Sequence, residues 1–301
     1  MGQIRIGISG WTYDPWIGDF YPEELAKKRR LEYASRRLNS IEINGSFYSL
    51  QRPGTYRAWY ERTPDDFLFA VKGSRFITHN KKLGDAETPL ANFFASGVLR
   101  LEEKLGPILW QLPANLAFDE ERAESFFELL PRNTEEMAAL GRKHDDRVEG
   151  RSWTKTDGRR RVRHAVEFRH ESWLCAEAVR TARRHGVAFA FADSGKWPYN
   201  EELTAGFVYL RLHGSPDTYR SNYGDARLDG YAEKIRSWAD GGEPEDAERV
   251  TDRVPPRRKS RDVYVYFDND AELHAPWYAL GLAARVGSEG DRGADPEGVR
   301  N

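Results

Sequence analysis

The stretch Phe207-Val208-Tyr209-Leu210-Arg211-Leu212-His213-Gly214-Ser215 predicts a buried β-strand that ends at a binding site. It begins with a short run of apolar, aromatic and β-branched residues, as in a strand covered on both faces. Arg211 and His213 then stand two positions apart, a spacing that puts both side chains on one face of a strand. Gly214 and Ser215 begin a loop. This pattern favours one wall of a site over an exposed edge strand with two solvated charges.

Seven other segments repeat this arrangement of a short apolar run that ends in a polar group. The eight predicted strands are Ile4–Ser9, Ser40–Asn44, Phe67–Val71, Pro107–Leu112, Arg163–Phe168, Val187–Ala192, Phe207–His213 and Asp262–Phe267. Helical periodicity follows nearly every strand, as in Leu90–Lys104 and in Leu228–Ala239. Eight strand–helix units in 301 residues predict a TIM-like (β/α)8 barrel. An open doubly wound sheet is disfavoured, because Ser9-Gly10-Trp11 lacks the glycine pattern of a dinucleotide-binding turn.

The chain is expected to form a single barrel domain over residues 1–287. Polar insertions interrupt the repeating units after strands four and seven, at about 134–163 and 241–261. Residues 288–301 are rich in Gly, Asp and Glu and are predicted to be a flexible tail.

Charge and hydropathy limit the classes of partner. The chain has 46 Lys and Arg against 48 Asp and Glu, so its net charge of −2 does not indicate nucleic-acid binding, which would need a local basic patch. No segment has the pattern of a signal peptide, and none approaches the roughly 20 apolar residues that span a bilayer. We expect a cytoplasmic protein with no membrane partner. The sequence carries no signal for the oligomeric state.

The predicted strand ends supply a collection of polar side chains. In a TIM barrel the carboxyl ends of all strands meet at one rim, where active sites lie. Charges crowded there must pair with each other or with a ligand, because desolvating a lone charge is costly. One interpretation is a self-contained ion-pair network that closes the barrel top; the other is an active site. The side chains concerned are Ser9, Glu42, Asn44, Lys72, Gln111, Glu167, Arg169, Asp193, Arg211, His213, Asp268, Asn269 and Asp270.

As an active site, the rim would bind a small phosphorylated or otherwise anionic substrate through its cations while a carboxylate transfers a proton. Tyrosines beyond the seventh strand would act as a lid, and an aromatic loop would offer a stacking surface. The candidate catalytic residues are Glu42, Glu167, Asp193 and His213. The candidate substrate-binding residues are Trp11, Asn44, Lys72, Gln111, Arg169, Arg211, Tyr219, Tyr223 and Asn269.

No cofactor is expected. Glu42, Glu167, Asp193 and His213 are ligand types that a divalent metal accepts, but the neighbouring cations disfavour a metal ion. Two other function classes stay open. A nucleic-acid-binding protein or phosphodiesterase would account for aromatic loops beside basic residues. A non-catalytic ligand-binding protein would use the same residues and leave its ligand unchanged.

Short motifs are spread over nearly the whole chain. They are Ser9-Gly10-Trp11 with Phe20-Tyr21-Pro22, Glu42-Ile43-Asn44 with Ser46-Phe47-Tyr48, Phe69-Ala70-Val71-Lys72, Ile77-Thr78-His79, Leu105-Gly106-Pro107-Ile108 with Gln111-Leu112-Pro113, Glu167-Phe168-Arg169-His170 with Ser172-Trp173, Val208 to Gly214, and Val263 to Phe267 with Asn269-Asp270. Together they resemble the family called domain of unknown function 72, or YecE-like. The resemblance implies a TIM-like barrel and no particular chemistry. Its likeness to endonuclease-IV-like and sugar-isomerase-like barrels is an analogy of fold. Asp268 and Tyr278 depart from the family pattern, which often has Asn at both positions.

Overall fold

Eight parallel strands form a closed barrel in sequential order in the computed structural model, which describes residues 1–214, 223–268 and 274–288. β1 and β8 pair in parallel and close the ring. This confirms the predicted TIM-like (β/α)8 barrel. The strands are β1 (Ile4–Ser9), β2 (Ser40–Ile43), β3 (Leu68–Lys72), β4 (Leu105–Gln111), β5 (His164–Glu167), β6 (Ala188–Asp193), β7 (Phe207–Leu212) and β8 (Asp262–Phe267).

Helices connect most successive strands and cover the outside of the barrel. Within the three described ranges, no helix combines the length and the apolar composition that a bilayer crossing requires. The α-helices are α1 (Arg30–Ser35), α2 (Gly45–Tyr48), α3 (Pro53–Glu61), α4 (Glu87–Ala95), α5 (Glu120–Leu129), α6 (Thr134–Gly141), α7 (Ala176–His185), α8 (Asp225–Ala239) and α9 (Ala275–Val286).

Alternation along the strands separates two apolar clusters. Residues such as Val208 and Leu210 belong to the large cluster between sheet and helices, whereas Phe207 and Tyr209 belong to a small cluster inside the barrel. This is the two-residue period of a β-strand. The inner cluster is filled largely by alanine and tyrosine side chains, and the positions above it on the same face carry the polar groups of the barrel mouth.

The segment predicted as one helix over Leu90–Lys104 is divided in the structure. α4 ends at Ala95, and Gly97 has a φ of +118°, where an L-residue side chain is strained. A Cβ atom at Gly97 would lie 2.5 Å from the Cα of Pro53, so the glycine also permits close packing against α3. A 3₁₀ helix continues from Val98 to Lys104. The apolar periodicity correctly predicted helical structure in both pieces, but it could not show the break between them at Gly97.

The two predicted insertions differ in regular structure. The first contains α6, a short 3₁₀ helix and an isolated antiparallel bridge between Asn133 and Arg161. Residues 241–261 contain no helix or strand. They are anchored by the buried Glu202, whose carboxylate accepts hydrogen bonds from the backbone N–H groups of Val250 (2.8 Å) and Thr251 (2.9 Å). Most of the predicted flexible tail, residues 289–301, lies outside the described residues.

Candidate functional site

The carboxyl ends of the strands carry inward-facing polar side chains that meet at one mouth of the barrel. At the centre lies Arg211 from β7, whose side chain is fully buried (0% exposed). A guanidinium in such a position needs an anionic partner for each donating edge.

Three carboxylates surround the Arg211 guanidinium. Its Nε and Nη2 donate to the two oxygens of Glu42, at 3.1 and 2.8 Å, in a bidentate pair. Its Nη1 donates to Glu167 at 2.6 Å, and its Nη2 also donates to Asp268 at 2.6 Å. Together with His213, these residues are called the arginine network below. The structure thus brings together Glu42, Glu167, Arg211 and His213 from the predicted site.

Glu42 has further donors from the neighbouring strands. Ser9 Oγ donates to Glu42 Oε1 at 2.8 Å, and the hydroxyl of Tyr209 donates to Oε2 at 2.6 Å. Burial and the charge of Glu42 raise the pKa of Tyr209 well above its ordinary value, so the phenol remains protonated and donates. Both carboxylate oxygens of Glu42 are therefore occupied by neighbouring donors.

The other acids of the arginine network are held in the ionised form. Burial would raise the pKa of Glu167, but the charge of Arg211 and a hydrogen bond from His213 bring it well below the ordinary value. The pKa of Asp268 is lowered for the same reasons. Burial and Arg211 would lower the pKa of His213, yet hydrogen bonds to Asp268 (3.2 Å from Nδ1) and Glu167 (3.5 Å from Nε2) raise it. The two ring nitrogens of His213 thus face two carboxylates, and Nε2 also lies 3.4 Å from Nη1 of Arg211.

The adjacent strands β2, β3 and β4 present a different kind of polar group at the mouth. Within the described residues, the side chains of Asn44, Lys72 and Gln111 make no hydrogen bond or ion pair with the protein, and Oδ1 of Asn44 is buried without a partner. These three residues are called the lysine group. Buried polar groups in folded proteins are normally satisfied, so this set has capacity for an external ligand.

Lys72 is the charged member of the lysine group. Its side chain is only 7% exposed, and its ammonium lies 4.4 Å from the centre of the Phe47 ring. Burial, reinforced by the charge of Arg211, lowers the pKa of Lys72 to about 8, although the acids of the arginine network oppose the shift. The amine is consequently available in its neutral form close to neutral pH.

Arg169 lies at the rim between the two sets. Its Nε donates to Glu167 at 2.9 Å, and its guanidinium stacks over Trp197 at 4.6 Å. The half-buried His79 was not predicted as a site residue. Its ring contacts Phe47, and its pKa is lowered by burial and then by the charges of Arg169 and Lys72. The signals available in the sequence were the position of His79 in the loop after β3 and its place in the motif Ile77-Thr78-His79.

Asp193, a predicted catalytic residue, does not lie in the mouth. Phe189 and Phe191 face the outer helices, and the two-residue period places Asp193 on that same outer face. Its Oδ2 accepts hydrogen bonds from Tyr231 (2.6 Å), Tyr223 (3.1 Å) and Arg227. The four residues that offered metal-ligand types are therefore not gathered around one point.

Two predicted substrate-binding aromatics also lie in the outer layer. Trp11 packs edge-to-face on Trp59, with ring centroids 5.3 Å apart. The buried Tyr223 donates to Asp193 and accepts a hydrogen bond from the N–H of Gly214 at 3.0 Å. Tyr219 and Asn269 lie outside the described residues, as do Ser215 and Asp270.

Among the residues whose placement is described, one cluster of three acids has metal-ligand spacing. It consists of Glu102, Glu103 and Asp157, of which the last two are exposed. These carboxylates already bind Arg57, Tyr60 and Arg160 respectively, and the cluster lies apart from the barrel mouth. Nothing else in the structure marks it as a cation site.

Fold and site together define a (β/α)8-barrel protein with a charged mouth at the carboxyl ends of its strands. The chain belongs to the family described as "Protein of unknown function DUF72", whose sequence profile matches residues 5–299. This confirms the resemblance drawn from the motifs.

Curated and solved relatives agree with this assignment. The UPF0759 protein YecE of Escherichia coli (strain K12) is 27% identical over 222 residues, which cover 71% of this chain and 75% of that protein. The UPF0759 protein YunF of Bacillus subtilis is 30% identical over 80 residues, 27% of each chain. A DUF72 family protein from Thermotoga maritima superposes with a TM-score of 0.67 at 23% identity, covering 95% of this chain and 99% of that one. At that identity the superposition shows the fold alone.

Proposed function

We propose that the barrel mouth is the active site of an enzyme that binds a small phosphorylated or otherwise anionic substrate and moves a proton with Lys72. The observation that carries this proposal is a nearly buried lysine, with a pKa of about 8, that makes no ion pair within the described residues. Lysines with depressed pKa values serve as general bases, because their neutral amine is populated near physiological pH.

The lysine group supplies the anion-binding side of the proposal. The amide groups of Asn44 and Gln111 flank Lys72 from the ends of neighbouring strands and bind the anion, while Lys72 adds a positive charge in its ammonium form and serves as the base in its neutral form. Arg169 adds a guanidinium at the rim, with one edge already held by Glu167. An anion placed here would supply hydrogen bonds that the described residues do not provide, which is the usual basis of selective binding in a polar pocket.

The carboxylates take a different role from the one expected from the sequence. Glu42 accepts from several donors, and the low pKa of Glu167 makes it a weak base at neutral pH. We assign both as positioning residues that hold Arg211 and His213. Arg211 in turn sets the electrostatic potential at Lys72 and helps to lower its pKa.

The proposed chemistry is proton transfer at a carbon or oxygen atom next to the anionic group of the substrate. Neutral Lys72 Nζ would accept the proton and become an ammonium. In an isomerisation it would return the proton to another atom of the substrate; in an elimination the leaving group would depart with the electrons of the broken bond, and the proton would pass to that group or to water. No redox partner is needed, so the isomerase and lyase classes fit best. At pH 7 roughly a tenth of Lys72 would be neutral, which is sufficient for general-base catalysis.

A thermal-shift and calorimetric screen with phosphate, sugar phosphates and small carboxylic acids tests the binding step. At least one of these anions should stabilise the wild-type protein and the Lys82→Met variant, since Lys82 is an exposed lysine in the loop after the same strand. The same anion should not stabilise Lys72→Met. Equal stabilisation of both variants would refute the assignment of Lys72.

The ionisation of Lys72 can be measured without a substrate. Reductive methylation with ¹³C-formaldehyde gives each lysine a methyl resonance, and comparison with Lys72→Arg identifies the one that belongs to Lys72. Its titration should fall near pH 8, against about 10.4 for an ordinary lysine. A midpoint above 10 would remove the chemical basis of the proposal.

The other two function classes give different outcomes in the same screen. Nucleic-acid binding predicts capture of a single-stranded or abasic oligonucleotide with an affinity that falls steeply with salt concentration. A non-catalytic ligand-binding protein predicts stabilisation by an anion that is recovered chemically unchanged. Analysis of the recovered ligand by mass spectrometry and NMR distinguishes this outcome from catalysis.

A further inference from the structure

A second cavity, of about 570 Å³, lies outside the barrel and away from the mouth. Its walls come from α7, from residues 203–205 just before β7, and from the end of the second insertion just before β8. It is therefore placed toward the amino ends of the strands, the face of a TIM barrel opposite the usual active site. This cavity is called the arginine cleft.

The lining of the arginine cleft is strongly cationic. Among its lining residues in the described part of the chain there is neither an Asp nor a Glu, and there are six arginines: Arg180, Arg183, Arg184, Arg253, Arg258 and Arg261. The protein as a whole has a net charge of −2, so this concentration of one charge is a local feature.

Carboxylates outside the lining neutralise only half of this charge. Arg183 pairs with the buried Glu202, and Arg180 and Arg184 form exposed pairs with Glu177 and Glu124. Exposed pairs of this kind hold their side chains weakly and leave them free to rearrange around a ligand. The other three lining arginines have no carboxylate partner within the described residues.

The unpaired arginines include one that is almost entirely buried. Arg261 is 2% exposed; its Nη atoms donate to the backbone oxygens of Gly242 and Pro256, and its Nε is buried with no partner. Burial lowers the pKa of Arg261 and the charge of Arg258 lowers it further, whereas Glu243, outside the lining, opposes the shift. The carbonyl contacts explain how Arg261 organises the insertion.

The carbonyl contacts do not account for Arg253 and Arg258. Both are exposed, line the cleft, and have no hydrogen bond or ion pair from their side chains within the described residues. Like charges held together without counter-charges are unfavourable, so an anion entering the cleft would relieve a repulsion that the folded protein otherwise retains.

We propose that the arginine cleft binds a small molecule that carries two or more phosphate groups. Its volume is in the range of small-molecule sites, and guanidinium groups match phosphate oxygens in bidentate geometry. The apolar parts of the wall, from Val179, Leu203 and Pro255, would contact the rest of the ligand. No described lining residue is an acid, a histidine, a lysine or a thiol, so the cleft is a binding site and not a second catalytic centre.

Isothermal titration calorimetry with inorganic pyrophosphate tests the proposal on the full chain. Binding should weaken by about tenfold or more in Arg258→Ala and in Arg253→Ala, as expected for loss of charged hydrogen bonds. Arg257→Ala is the matched control, because Arg257 is an exposed neighbour of Arg258 that does not line the cleft; it should bind within twofold of the wild type. Circular dichroism establishes that the variants are folded.

Several outcomes would overturn the proposal. One is the absence of any heat of binding with the wild-type protein. Another is a loss of affinity in Arg257→Ala as large as that in Arg258→Ala, which would mean general attraction to a basic surface. Loss of pyrophosphate binding in Lys72→Met with retention in Arg258→Ala would place the anion at the barrel mouth. That last result would refute the arginine cleft and support the proposed function, so the failures of the two proposals are distinguishable.

Two further probes define the ligand class. Orthophosphate should bind at least tenfold more weakly than pyrophosphate, because it cannot reach arginines on both walls. A nucleoside diphosphate that binds more tightly than pyrophosphate would show that the apolar wall contributes. Equal affinity for orthophosphate and pyrophosphate would contradict recognition of more than one phosphate group.

Discussion

The arginine network and the lysine group lie side by side at one barrel mouth, yet they differ in how their charged side chains are paired. Arg211 is enclosed by Glu42, Glu167 and Asp268, each at a hydrogen-bonding distance. Lys72 is almost as deeply buried, but makes no ion pair within the described residues. The charges of the arginine network pair with one another, whereas the described residues offer the lysine group no hydrogen bond or ion pair.

We infer from this difference that the two groups have different roles. Buried ion pairs with complete hydrogen bonding contribute to a defined geometry, and breaking one of them is costly. Desolvating a buried cation without an ion-pair partner is costly, and such perturbed groups are found most often at functional sites. Of the two interpretations drawn from the sequence, the self-contained network describes the arginine network, and the ligand site is the proposal for the lysine group.

Among the variants that test this difference, Arg211→Met is expected to lower the free energy of unfolding most. It leaves the buried carboxylates of Glu42 and Glu167 and the partly exposed carboxylate of Asp268 without their cation, and it should lower the free energy of unfolding by about 3–5 kcal/mol. Urea denaturation at pH 7 measures this loss. Arg36→Ala, which breaks an exposed pair with Glu32, is the control and should cost under about 1 kcal/mol. A loss of similar size in Arg211→Met and Arg36→Ala would show that the buried network contributes no more to stability than an exposed ion pair.

The pH dependence of Arg211→Met tests whether its loss of stability comes from lost charge pairing. Glu167 and Asp268 have lowered pKa values in the folded protein, so their stabilising contribution is present above the unfolded values near 4 and is lost as the pH falls below them. The deficit of Arg211→Met relative to the wild type should therefore shrink below about pH 4. A deficit independent of pH would point to lost packing instead of lost charge pairing.

The pH dependence of Lys72→Met should lie in the alkaline range. The pKa of Lys72 is lowered to about 8 in the folded state, against about 10.4 when unfolded, so the unfolded chain binds more protons between these values. Wild-type stability should accordingly rise relative to Lys72→Met by roughly 1 kcal/mol per pH unit between pH 8 and 10. Urea denaturation at pH 7, 8.5 and 10 gives this difference. Parallel curves for the two proteins would mean that Lys72 has an ordinary pKa.

Asp193→Asn tests whether Asp193 acts in the outer layer and not at the barrel mouth. It weakens the contacts to Tyr231, Tyr223 and Arg227, and should lower the free energy of unfolding by about 1–3 kcal/mol. Affinity for an anion at the mouth should be unchanged, because the side chain faces the helices. Asp85→Asn, at an exposed loop position, serves as the control for stability. A tenfold loss of anion affinity in Asp193→Asn would contradict the separation.

Gln111→Leu should have the smallest effect on folding. The Gln111 side chain makes no hydrogen bond within the described residues, so stability should change by less than about 0.5 kcal/mol. Anion affinity, measured by calorimetry with the ligand from the screen, should fall about tenfold through loss of an amide donor. A large loss of stability would show that Gln111 has a structural partner and does not belong to the lysine group.

The fold was accessible from the sequence because it depends on local patterns. Apolar runs such as Asp262–Phe267 locate a strand, and the period of two assigns Arg211 and His213 to one face without knowledge of the neighbours. The same period would have placed Asp193 with Phe189 and Phe191 on the outer face. Its position at a strand end was the weaker signal, and relying on it gave the wrong location.

The sequence by itself determined the eight-stranded barrel and the set of charged side chains that reach its mouth, since both follow from short-range periodicity. Lys72 and Arg211 are alike at that level, each a cation at the end of an apolar strand. Only the tertiary structure decided that Arg211 meets Glu42, 169 residues away, while Lys72 pairs with no carboxylate in the described part of the chain. Ion pairing depends on distances of a few ångströms, and barrel closure sets those distances between residues that no local pattern connects.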